Sequence, residues 1–125
     1  MSQRLRVRTG TLAICRLAPG AAVPDWAAGP FVSVTRTPGE LSVVCDEAGV
    51  PDGVRAERGW CALEVEGPLH FSLTGVLAGL AVPLADAGIP VFMLSTFDTD
   101  WLLVREPQLA DALAVLSRAG HEVQE

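Results

Sequence analysis

Apolar and polar residues follow two different periods along this chain, and the period changes at glycine and proline. Residues 11–17, apolar at 12–15 and at 17, have the pattern of a buried strand, and residues 5–7 extend or precede it. Pro19 and Gly20 end that run. Residues 21–28 are alanine-rich, contain Pro24, and are expected to form a brief helix that carries Trp26 into the core. Phe31, Val32 and Val34 mark a strand over 31–36, and residues 41–45 return as a second one. Between them Thr37-Pro38-Gly39-Glu40 reads as a turn, because proline fixes φ and glycine supplies the freedom a reversal needs. Residues 31–45 are therefore a hairpin, followed by a turn-rich link over 46–53.

The second half repeats these signals more fully. In residues 60–66, Cys61, Leu63 and Val65 fall on one side and Trp60, Ala62 and Glu64 on the other, a strand closed by Gly67-Pro68. Residues 74–87 have helical spacing, with Val76, Leu77, Leu80, Leu84 and Ala87 near one face and Gly88 at the C-terminal cap position. Pro83 opposes a regular helix there, since it removes one internal hydrogen bond. Residues 91–95 and 100–104 form a second hairpin around a polar link at 96–99. Glu106-Pro107 opens a last helix, in which Leu109, Ala112, Leu113 and Leu116 follow the i, i+3, i+4, i+7 rule. Gly120 stops it, and residues 121–123 suffice for a short final strand.

The order β-α-β-β-α-β in the second half predicts an α+β fold, the ferredoxin-like sandwich in which two helices pack on one face of an antiparallel sheet. The first half shows a reduced version: strand, short helix, hairpin. The expected division is residues 1–58 and 59–125, with the boundary in the polar stretch from 53 to 59.

Composition narrows the function classes. Half of the 125 residues are apolar and 19% are charged, which favours a packed core over disorder. The most apolar stretch, 76–94, is interrupted by Pro83, Asp86, Gly88 and Pro90, so no membrane span is expected, and no signal peptide is visible. A net charge of −6 disfavours nucleic acid. Arg4, Arg6 and Arg8 alternate onto one strand face and read as a solvated surface. Cys15, Cys45 and Cys61 lie in apolar, strand-like contexts without metal-ligand spacing, and read as buried free thiols in a reducing, cytoplasmic setting. His70 and His121 are too far apart in sequence to mark a metal pair, and neither a phosphate-binding loop nor a nucleophile elbow is present. His70, Ser72 and Asp100 can be written as a hydrolytic triad, and Cys61 with His70 as a thiol nucleophile, but an apolar strand disfavours a thiolate. The expectation is a protein that is not an enzyme and uses no metal and no cofactor.

Two segments resemble a known family. Gly75-Val76-Leu77-Ala78-Gly79-Leu80 with Pro83-Leu84-Ala85-Asp86-Ala87-Gly88-Ile89-Pro90-Val91 is similar to the helix-to-strand segment of ACT domains. The run from Leu94 to Val104 resembles their following hairpin. The resemblance covers about residues 60–123. It points to the regulatory ACT domains of aspartate kinases, to the CASTOR-type arginine sensors, and to small stand-alone bacterial proteins of two ACT-like units.

The resemblance implies a small-molecule-binding regulatory protein, an amino-acid sensor. Its ligand would lie at the loop before the first helix, that helix's first turn, and the turn into the next hairpin strand. Carried over, this names Thr74, Gly75, Val76 and Leu77 on one side and Ser95, Thr96, Phe97, Asp98 and Asp100 on the other. Amides at a helix start suit a carboxylate, and an aspartate suits an ammonium or guanidinium. Thr74 alternatively reads as the helix N-cap alone, and Asp98 and Asp100 as solvated turn residues. Because the arginine sensors carry four ACT units, a homodimer is expected to restore the count. The alternative is a ligand-free module for dimerisation or for docking a partner.

Overall fold

The computed structural model describes residues 2–70 and 73–125. The chain divides into two compact units, Gly10–Trp60 and a second made of Met1–Thr9 with Cys61–Glu125.

The second unit holds β1 (Arg4–Val7), the latter part of β5 (Ala56–Val65), α1 (Val76–Asp86), β6 (Phe92–Ser95), β7 (Asp100–Arg105), α2 (Leu109–Arg118) and β8 (Glu122–Gln124). The strands lie in the order β8-β1-β5-β7-β6. Leu5, Leu63, Val65, Leu102 and Val104 of the sheet pack with Val76, Leu80 and Leu84 of α1 and Ala112 and Leu116 of α2 in one buried cluster. Two helices on a sheet, in β-α-β-β-α-β order from β5 to β8, form the ferredoxin-like α+β fold.

At β1 the structure decides between two alternatives that the sequence leaves open. From the sequence, residues 5–7 either extend or precede the strand over 11–17. Here they form a separate strand, antiparallel to β5 with Leu5 opposite Val65, and parallel to β8 with Leu5 opposite Val123. The physical reason is alternation: Leu5 is buried while Arg4 and Arg6 face outward, so the strand has one apolar anchor and a charged outer face. On that face Arg4 pairs with Glu122 at 3.2 Å and Arg8 with Glu64 at 3.6 Å.

Helix α1 continues through Pro83. Pro83 has no N–H, so the carbonyl of Gly79, four residues earlier, loses the donor that helix geometry would give it. His121 supplies the replacement. Its Nδ1 accepts the Gln3 N–H at 3.1 Å and therefore carries no proton. Its Nε2 bears the proton and donates to Gly79 O at 2.8 Å. The buried face of α1 is Val76, Leu80 and Leu84; Leu77 and Ala87, expected on it, are exposed. The last helix begins with a 3-10 turn at Glu106–Gln108 that contains Pro107, and α2 follows from Leu109.

The unit Gly10–Trp60 holds β2 (Leu12–Leu17), β3 (Ser33–Arg36), β4 (Leu41–Asp46) and the first part of β5, in the order β3-β4-β2-β5. The expected hairpin is present, with Ser33 opposite Val44 and Arg36 opposite Leu41. Thr37 closes its turn: Thr37 N–H donates to Glu40 O at 2.9 Å, and Oγ1 accepts the Glu40 N–H at 3.2 Å. The expected helix over 21–28 does not form. Pro24 interrupts it, and isolated turns replace it, closed by Ala21 N–H to Ala18 O and Ala27 N–H to Pro24 O. Trp26 still packs against the core of Ala13, Cys15, Leu41, Val43, Cys45 and Val50. Strand β5 starts at Ala56 rather than Trp60, because the chain passes Gly59 by a register shift opposite Leu12 and Ile14. The Glu47 carboxylate takes up the Gly59 N–H at 2.6 Å.

Burial pushes the Cys15 thiol up to about 11, with Cys45 beside it adding to the effect, and burial also raises Cys45. Two outcomes are expected. His121→Ala strands two polar backbone groups and should cost about 2–4 kcal/mol in denaturant unfolding. Pro83→Ala should recover more stability in that background than in the wild type, since alanine restores the donor to Gly79; equal effects would show the two residues to be uncoupled. The second outcome concerns alkaline pH. A thiol whose folded pKa exceeds its unfolded value of 9.0 stabilises the native state fully below pH 9, and the contribution is lost as pH rises through about 11. The chain has no tyrosine and no lysine, so cysteine dominates titration in that window. Unfolding measured from pH 8 to 11 should lose about 2–3 kcal/mol, and Cys15→Ala should flatten the loss.

Candidate functional site

The loop after β5, the start of α1 and the turn between β6 and β7 enclose a cleft of about 310 Å³ within the second unit. That volume is at the small end of ligand-sized pockets.

Helix α1 begins at Val76 with Gly75 as its N-cap, at φ +80°, and no side chain caps it among the described residues. A side chain at that φ is strained, although a Cβ there would meet nothing within 4 Å. Glycine is therefore required by backbone conformation and not by a close approach. The first intrahelical bond runs from Gly79 N–H to Gly75 O at 2.9 Å, so the amides of Val76, Leu77 and Ala78 precede the helical ladder. All three residues line the cleft.

Opposite stands the β6–β7 turn. Its register pairs Ser95 with Asp100. Thr96 folds back on Thr99: Thr96 N–H donates to Thr99 O at 2.8 Å, and the Thr96 hydroxyl accepts the Thr99 N–H at 3.2 Å. This leaves Phe97 and Asp98 at the tip, with Phe97 79% exposed. Ser95 Oγ donates to Asp100 Oδ1 at 2.7 Å, which orients the carboxylate. A helix start and a carboxylate thus border one cavity. The first favours negative charge and the second positive.

The cleft brings together Gly75, Val76, Leu77, Ser95, Thr96, Phe97, Asp98 and Asp100, all named from the sequence. Thr74 is exposed and does not line it, nor does it cap α1, because Gly75 occupies that position. Leu69, His70, Leu73, Ala78 and Thr99 line the cleft and were not assigned to it from the sequence. The loop following Gly67-Pro68 carried no periodic signal that could have placed the first three. Ser72, one member of the notional hydrolytic triad, lies outside the described residues. Burial raises the Cys61 thiol, with Glu106 adding to the effect, so the alternative thiol nucleophile is held in its unreactive form. No helix among the described residues is long and apolar enough to cross a membrane.

The fold and cleft define a small α+β protein with a binding cavity at the start of its first helix. The sequence profile of the ACT domain matches residues 55–118, and a second profile, described only as an N-terminal domain, matches residues 10–53. The chain belongs to the ACT domain family. It is 32% identical over 99 residues to the bovine (Bos taurus) "cytosolic arginine sensor for mTORC1 subunit 1", a match covering 70% of this chain and 30% of that protein. The chain thus spans under a third of that relative's length. Among solved structures it is 40% identical to a protein from Agrobacterium tumefaciens, with a TM-score of 0.93 over 98% of this chain and 92% of the other. The fold also matches the aspartokinase alpha and beta subunits, at 17% identity and a TM-score of 0.66, over 95% of this chain and 98% of that one.

Proposed function

We propose that this protein is an amino-acid-binding regulatory module whose ligand occupies the cleft between the start of α1 and the β6–β7 turn. The observation that carries this reading is the pairing of helix-start amides, which no described side chain caps, with the Asp100 carboxylate across one ligand-sized cavity. A zwitterion needs donors at one end and acceptors at the other, and these two walls offer them. The family and the arginine-sensor relative support a regulatory role for the site. Asp98 and Asp100 at the turn favour a cationic side chain, which makes arginine the first ligand to test. The buried free thiols fit a reducing compartment, and the cytoplasm is the proposed location. A homodimer is the proposed assembly, and ligand binding would favour one arrangement of its subunits by differential affinity.

Exposed Leu73, Leu77 and Phe97 around the cleft favour a second reading, in which the same face docks a partner protein without any small ligand.

A thermal-shift screen against the twenty amino acids separates the two. One compound, at about a hundredfold excess over its Kd, should raise Tm selectively by about 5–10 °C. Asp100→Ala should then weaken that compound about 10–100-fold while leaving the fold intact. Unchanged affinity removes Asp100 from the site, and no response to any amino acid favours the docking module.

A further inference from the structure

Two residues join the walls of the cleft: Thr99, which lines it, and Gly67, which stands behind the lining. Thr99 is 8% exposed, and its hydroxyl donates to Val65 O at 2.6 Å, tying the β6–β7 turn to the end of β5. One step further along the loop, Leu69 N–H donates to Asp98 O at 2.6 Å. Gly67 lies between these two bonds. A Cβ on it would sit 2.9 Å from Asp98 O, 3.0 Å from Thr99 Cβ and 3.3 Å from Leu69 N. The first two contacts fall at or inside the limit that real side chains respect, and the nearest is to backbone, which cannot swing aside. Glycine is therefore required here by close approach.

Leu69 and Asp98 both line the cleft, so the bond between them bridges its rim directly. The Thr99 hydroxyl bond and the bare Gly67 backbone hold that bridge at its present length. We infer that Gly67 and Thr99 form a latch that sets the separation between the loop wall and the turn wall, and so act as the positioning residues that select the ligand. A preorganised cleft loses less entropy on binding, and small displacements of its walls are costly to affinity. The selecting role rests on reading the cleft as a ligand site; the latch itself does not.

Three variants test it in the 125-residue chain: Thr99→Val, which keeps shape and removes the hydroxyl; Thr99→Ser, which keeps the hydroxyl; and Gly67→Ala, which strains the latch from the loop side. Amide hydrogen exchange at Leu69 reads the latch without any ligand. Calorimetric titration with L-arginine, and with each other amino acid, reads positioning. Thr99→Val and Gly67→Ala should speed exchange at Leu69 and weaken the bound amino acid, each by about tenfold, and Thr99→Ser should stay within about threefold of wild type on both. If the wild type binds no amino acid, the ligand reading fails, and the Leu69 exchange pattern across the variants alone upholds or overturns the latch. Unchanged exchange in Thr99→Val overturns the latch. Faster exchange with unchanged affinity overturns its positioning role.

Discussion

The second unit depends on one imidazole. His121 accepts from the backbone of Gln3 and donates to the backbone of Gly79, so its two nitrogens join the segment leading into β1 to the middle of α1, just ahead of β8. Gln3 and His121 are 118 residues apart in sequence. Neither bond is replaceable by water at this depth, since His121 is 6% exposed. The proline in α1 is tolerated on the same terms. Its missing donor leaves an orphan carbonyl, and a histidine from the far end of the chain satisfies it.

That arrangement bears on the cleft. Helix α1 presents its first turn to the cavity while its buried stripe, Val76, Leu80 and Leu84, is fixed on the core. The opposite wall is a tight turn closed by Thr96 and Thr99, and the third is a loop tied to that turn through Leu69 and Asp98. Each wall is held by bonds made within or behind it, so donors and carboxylates are in place before anything binds. Membership of the ACT family gives this geometry a regulatory context. The added strand β1 between β5 and β8 modifies the bare β-α-β-β-α-β order.

The elements were legible where a single period ran between clear stops. The hairpins, both helices of the second unit and the short last strand announce themselves in this way, and the resemblance to ACT segments named eight of the residues that the cleft gathers. Legibility failed where one residue type has two physical uses. Gly59 reads as a loop but lies within a strand, its amide satisfied by Glu47. The alanines of 21–28 read as helix but are broken by Pro24 into turns. Thr74 reads as a cap, yet the backbone places Gly75 there.

The sequence by itself determined the α+β class, the order of elements and the chemistry available at the helix start and the hairpin turn, because periodicity and turn residues act over a few neighbouring positions. Only the tertiary structure decided that residues 4–7 form a strand beside β8, that His121 serves the carbonyl freed by Pro83, and that Leu69, His70 and Thr99 join the cleft. Those outcomes depend on contacts between distant segments, and no local pattern encodes which buried donor will meet which orphaned acceptor.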